Sequence, residues 1–129
     1  MLAKLESLTL ARTQVGDAGL GHVQTLAQIQ KLNLESTQVT DLGLGRLSLT
    51  RLQSLSLTHT KVTDAGLDAL QGLPQLENLW LERTQVTDAG LAHLRGLTQL
   101  EELDLRCTQV TATGVAELQK ALPNCRIER

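Results

Sequence analysis

The chain has 129 residues, enough for one domain; 29 are leucine, Phe and Tyr are absent, and Trp80 is the only aromatic. A formal net charge of −2, with both signs mixed along the chain, gives no electrostatic case for a nucleic-acid or anionic-membrane partner. No apolar run reaches the ~18 residues of a membrane span. Cys107 and Cys125 form no CxxC pair or spaced framework, the pattern of a reduced compartment.

In chain order, Met1 to Lys4 read as the end of a repeat whose start is missing, because Leu2-Ala-Lys-Leu5 aligns with Leu26-Ala-Gln-Ile29. This segment lacks the basic stretch and long apolar run of a signal peptide, so a chain that starts here is expected in the cytoplasm. Repeats then run over 5–28, 29–51, 52–75, 76–99 and 100–129, all within a single domain spanning 1–129. Glycines at 19, 43, 66, 90 and 114 are spaced by 24, 23, 24 and 24 residues, and Thr13, Thr37, Thr60, Thr84 and Thr108 give the same series. A fixed period in this range means a solenoid, in which each unit buries its apolar face only against its neighbours.

Within each repeat, Leu-x-Leu alternation predicts a short strand: Leu8 and Leu10, Leu32 and Leu34, Leu55 and Leu57, Leu79 and Leu81, Leu103 and Leu105. Successive repeats run the same way, so the strands form a parallel ladder at ~4.8 Å per coil. The threonine column ends each strand, and Val15, Val39, Val62, Val86 and Val110 turn back into the core. A helix start follows. Thr40, Thr63, Thr87 and Thr111 stand where a hydroxyl can cap a free backbone N–H, with Gly16 as a weaker cap in the first repeat. Asp41, Asp64 and Asp88 follow, where a carboxylate complements the helix dipole; Ala112 replaces the aspartate in the last repeat.

The glycine column falls inside the first helical turn, where Gly costs ~1 kcal/mol against Ala. Its presence in all five repeats points to close approach of neighbouring coils. Gly72 and Gly96 end helices, and Pro74 blocks continuation. The second repeat is one residue short at Arg46-Leu-Ser-Leu-Thr-Arg51, so its return segment should be less helical. Leu122 to Arg129 can supply a final short strand with a polar ending. At the other end, Leu8, Leu10, Val15 and Leu20 form a first coil with nothing before it. We therefore expect the chain to be a fragment, the C-terminal part of a longer protein, or to self-associate through its uncapped N-terminal repeat.

The phrase Leu-x-x-Leu-x-Leu-x-x-Thr-x-Val-Thr-Asp-x-Gly-Leu-x-x-Leu-x-x-Leu resembles a leucine-rich repeat, in the variant common in bacterial repeat proteins and similar to ribonuclease-inhibitor-like and F-box-associated repeats. The resemblance covers Leu2 to about Leu122. It implies a right-handed α/β solenoid of five repeats, with a parallel strand ladder on the concave face and helices on the convex face. It also implies non-enzymatic binding of proteins or other macromolecules. Most members carry Asn where this chain has its threonine column; a Thr hydroxyl offers fewer bonds, so water or backbone must satisfy the rest.

Alternation sends the residues between the leucines onto the concave face. One outward column reads Thr9, Asn33, Ser56, Trp80, Asp104, and a second reads Ala11, Glu35, Thr58, Glu82, Arg106. A third reads Arg12, Ser36, His59, Arg83, Cys107, and a fourth, at the start of the strands, reads Ser7, Lys31, Ser54, Asn78, Glu102. Trp80 lies between two core leucines, so its indole must face out. It reads either as an interface anchor or as a surface Trp lying flat on its neighbours. The candidate protein-binding set is Trp80 with Glu82, Arg83, Asp104, Arg106, Ser56, Thr58, His59, Asn33 and Glu35. The other reading of Glu82, Arg83, Asp104 and Arg106 is a salt-bridged, solvated face.

The alternative function is a glycan-binding or glycan-processing module that uses Trp80 with Glu82, Glu102 and Asp104. An open face without a cleft would not raise a carboxyl pKa by desolvation, which argues against the hydrolytic version. His22, His59 and His93 do not converge, and His59 and Cys107 stand two coils apart, ~10 Å, too far for a zinc site or a Cys–His pair. No phosphate loop, serine-nucleophile or HExxH motif is present. No cofactor or metal is expected. Gln14, Gln38, Gln85 and Gln109, with Lys61 as the exception, form a column that reads as an exposed polar ladder or as a recognition surface.

Overall fold

The computed structural model describes residues 5–129; the reading of Met1 to Lys4 as a repeat end lies outside the described residues. Six strands form one parallel sheet in chain order. They are β1 (Ser7–Thr9), β2 (Lys31–Asn33), β3 (Ser54–Ser56), β4 (Asn78–Trp80), β5 (Glu102–Asp104) and β6 (Arg126–Glu128). Their register superposes the leucines, Leu8 on Leu32, Leu55, Leu79 and Leu103, and then Ile127. The last strand is the one that the C-terminal residues were expected to supply.

Each connection carries a helix: α1 (Asp17–Val23), α2 (Asp41–Leu44), α3 (Asp64–Ala69), α4 (Asp88–Leu91) and α5 (Ala112–Ala121). Successive helices pack side by side. A 3-10 turn prolongs α3 at Leu70–Gly72 and α4 at Ala92–Leu94. The shortened second repeat has only the four residues of α2 and no such continuation, as its missing residue predicts.

The core is a single column of leucine and valine, joined by Ile29 and Cys125. In the third coil Leu52, Leu55, Leu57, Val62, Leu67, Leu70 and Leu73 are all at most 1% exposed. Full burial of one such side chain is worth roughly 1.5–3 kcal/mol, so each coil depends on the coils that cover it. The first coil is less covered: Leu5, Leu8, Leu10 and Leu26 are only partly buried against the core.

The caps and the glycines share one device. Thr40, Thr63 and Thr87 each accept a bond from the N–H two residues on, and Thr111 from Gly114. Each of these threonines is also held by the aspartate of the preceding coil. Asp17 accepts from the backbone N–H and hydroxyl of Thr40, Asp41 from those of Thr63, Asp64 from those of Thr87 and Asp88 from those of Thr111. The aspartates therefore do more than the dipole complement expected of them: they join one coil to the next.

A Cβ at Gly43, Gly66, Gly90 or Gly114 would overlap the carboxylate of Asp17, Asp41, Asp64 or Asp88. Close approach was expected, and what approaches is a charged side chain. Ala112 stands where a fifth rung would begin.

The threonine column works inside its own coil. Thr13, Thr37, Thr60, Thr84 and Thr108 donate their hydroxyls to the carbonyls of Leu10, Leu34, Leu57, Leu81 and Leu105, at 2.6 to 2.8 Å. That bond closes a turn in which Arg12, Ser36, His59, Arg83 and Cys107 adopt left-handed φ of 53 to 60°. No glycine has positive φ: Gly72 is the last residue of its 3-10 turn and Gly96 lies two residues beyond its own, and neither supplies the left-handed cap that glycine usually provides.

Candidate functional site

The outward face of the strands forms an open trough of about 690 Å³. Eight of the ten candidate residues line it: Asn33, Glu35, Ser56, Thr58, Trp80, Glu82, Asp104 and Arg106. His59 and Arg83 do not. Their left-handed backbone ends the strict alternation of the strand and turns both side chains off the face. They line a separate groove on the neighbouring rim, together with Ser36, Thr37, Gln38, Thr60, Lys61 and Gln85. The trough also takes in Ser7, Lys31, Ser54 and Asn78. These come from the column at the start of the strands, and their outward register was the signal that could have included them.

Trp80 is half-buried rather than fully exposed. In the ladder it stands between Ser56 and Asp104, and strands roughly 4.8 Å apart leave the indole flanked on both sides. It borders the trough and a smaller pocket of about 110 Å³, which Glu102, Arg106, Arg126 and Glu128 help to line. Across both cavities five carboxylates (Glu35, Glu82, Glu102, Asp104, Glu128) face three cations (Lys31, Arg106, Arg126), which leaves the face acidic.

Asp104 carries the ion pair of the salt-bridged reading, but as a buried carboxylate, only 7% exposed, rather than on a solvated face. Arg106 donates to it three times: from its backbone N–H to Oδ1 at 3.0 Å, from Nε to Oδ1 at 3.0 Å and from Nη2 to Oδ2 at 2.7 Å. The guanidinium bond holds the Asp104 carboxyl below the usual carboxylate range, against the opposing effect of burial. The same bond raises the pKa of Arg106. Arg106 Nη2 lies 3.5 Å from Glu82 and its Nε 3.7 Å from Glu128, while Arg126 reaches Glu128 at 3.3 Å. This network fixes the C-terminal half of the trough around Trp80.

Glycoside hydrolysis by a carboxyl pair needs one member kept protonated near neutrality. Asp104 is held the other way. Asn33 is tied into local structure too, since its Oδ1 accepts from the Glu35 N–H at 2.9 Å. Among the described residues no group of three His, Cys, Asp or Glu side chains is placed to hold a metal ion. Cys107 and Cys125 are both free thiols. Burial pushes the Cys125 thiol up to about 11, with the Glu102 charge adding to it, so it stays protonated and a poor nucleophile.

A family model described as leucine rich repeat matches residues 50–110. The fold agrees with it over nearly the whole chain: internalin C2 of Listeria monocytogenes superposes with a TM-score of 0.72 at 26% identity, over 98% of this chain and 53% of the internalin chain. This chain has the leucine-rich-repeat fold. A leucine-rich-repeat protein of Leptospira interrogans has the same fold, with a TM-score of 0.65 at 22% identity, over 98% of this chain and 38% of that one. No curated protein sequence matches significantly. This leucine-rich repeat chain thus spans about half the length of the internalin chain it resembles, and less of the Leptospira one.

Proposed function

We propose that this leucine-rich repeat domain is a binding scaffold that docks a protein partner across the trough, with Trp80 as its anchor. The family is in general one of protein-binding scaffolds. What supports the reading here is the setting of Trp80: a half-buried indole on an otherwise polar sheet face, beside an ion-pair network that holds its surroundings still. An aromatic that is already partly ordered loses little entropy on binding, and Trp is enriched among residues that dominate interface energetics.

The test compares wild type, Trp80→Ala and His22→Ala, a change on the exposed face of α1. A protein crosslinked to the wild-type domain is purified, and its affinity for all three is measured. Trp80→Ala should lose about 2 kcal/mol or more, and His22→Ala should match wild type. Unchanged affinity in Trp80→Ala together with a loss in His22→Ala would put the site on the helical side. A glycan array run in parallel covers the alternative: Trp80-dependent glycan binding without any protein partner would replace this proposal.

A further inference from the structure

The groove on the rim next to the trough has a composition of its own. It measures about 360 Å³ and is lined by Ser36, Thr37, Gln38, His59, Thr60, Lys61, Arg83 and Gln85. No carboxylate lines it, whereas the trough on the adjacent face is acidic. Its three ionisable residues, His59, Lys61 and Arg83, come from the third and fourth coils, one strand spacing (roughly 4.8 Å) apart.

Two independent features bring these groups together. Left-handed backbone at Ser36, His59 and Arg83, with φ of 53, 54 and 59°, carries their side chains off the sheet face and onto the rim. The second feature is Lys61, the one member of its column that is not glutamine, which places a cation between Gln38 and Gln85.

The donors are only lightly engaged. Ser36 Oγ lies 3.3 Å from His59 Nδ1; in the tautomer that accepts from this hydroxyl, Nε2 carries the ring proton and points it outward. Lys61 enters no ion pair among the described residues. Arg83 has one loose pair, Nε to Glu82 at 3.9 Å, and its side chain is 63% exposed. Its terminal nitrogens remain available, and so do the exposed amides of Gln38 and Gln85.

We propose that this groove is an oxyanion site that takes a phosphate or sulfate ester group. Five donor groups (His59, Lys61, Arg83, Gln38 and Gln85) surround it, more than a planar carboxylate can use. A tetrahedral oxyanion offers acceptor oxygens in several directions and can bridge two coils. The site is separate from the trough and does not depend on the identity of any partner bound there.

The experiment titrates the intact chain with phenyl phosphate and with phenyl sulfate, using phenol as the uncharged control, and follows backbone amides by heteronuclear NMR. Saturable shifts should cluster at residues 36–38, 59–61 and 83–85 and be absent with phenol. Lys61→Gln restores the residue that the other four repeats carry at that position, so its fold is secure. Both Lys61→Gln and Arg83→Gln should weaken binding about two- to fivefold, the order of one exposed ion pair. Response to both esters supports the shared chemistry. Response to one supports the site and names its source. Shifts scattered over every surface Lys and Arg, no shifts at all, or unchanged affinity in both variants would each overturn the proposal.

Discussion

The carboxylate of Asp64 accepts two hydrogen bonds from Thr87, one from its backbone N–H at 2.7 Å and one from its hydroxyl at 2.6 Å. Thr87 in turn caps α4 by accepting from the Ala89 N–H. One side chain thus ties the third coil to the helix start of the fourth. Hydrogen bonds to a charged group contribute roughly 1.5–3 kcal/mol, and partial exposure of this rung places it at the low end. Asp64→Ala should therefore cost about 1.5–2 kcal/mol in chemical denaturation. Asp68→Ala, on the exposed side of the same helix, should change stability by less than about 0.5 kcal/mol.

The glycine column can be tested through the same rung. A Cβ at Gly66 would overlap the Asp41 carboxylate and lie 3.0 Å from Val62 Cγ1. Gly66→Ala must push Asp41 away from Thr63, although Ala is the better helix former by ~1 kcal/mol. In an Asp41→Ala background that displacement no longer matters. A double-mutant cycle should give a coupling of about 1 kcal/mol or more between the two positions. Additive effects would mean that the carboxylate is not what excludes a side chain there.

Acid should loosen the C-terminal half of the trough. Asp104 titrates below the ordinary carboxylate value because Arg106 bonds its charged form. Asp88 is lowered in the same direction by the hydroxyl and N–H of Thr111. A depressed carboxyl contributes stability that is fully present above its unfolded pKa, about 3.9, and is lost as pH falls through the folded value. The stability difference between wild type and Asp104→Asn should hold steady above about pH 5 and shrink below about pH 4. A difference that persists unchanged to pH 2 would mean that the Asp104–Arg106 bond does not form in solution.

Stability should also vary along the stack. Leu8 and Leu10 of the first coil are half-buried, while Leu79 and Leu81 of the fourth are fully buried. β1 pairs with β2 alone among the described strands. Backbone amides of residues 8–12 should exchange with solvent faster than those of residues 79–83, since opening an end coil exposes less apolar surface than opening a central one. Hydrogen exchange read by mass spectrometry at several protein concentrations checks this. Equal protection at every concentration would show that the first coil is held as firmly as the centre, while protection that rises with concentration would mark self-association through it.

The sequence by itself determined the coil, its period, its strands and its core. Those follow from contacts two to four residues apart and from one rule, that leucines inside each coil cover the next. Leu55 and Leu57 alternate, Val62 turns inward, and Thr63 caps a helix whatever the neighbouring coil does. Only the tertiary structure decided what depends on how far one coil slides over another. The partner of Asp41 is Thr63, 22 residues on, and the atom that forbids a side chain at Gly66 belongs to that same aspartate.

The candidate site divides in the same way. Trp80, Glu82 and Arg106 could be placed on the outward face because strand alternation holds at their positions. His59 and Arg83 could not, because the chain leaves the extended conformation there and enters left-handed backbone that residues other than glycine adopt at a cost of roughly 1–2 kcal/mol. For Asp104 and Arg106 the residue order allows either an interface rim or a salt-bridged, solvated face, and it does not show that Asp104 is buried. Their bidentate bond, which buries one and orients the other, arises from side-chain geometry that residue order does not specify.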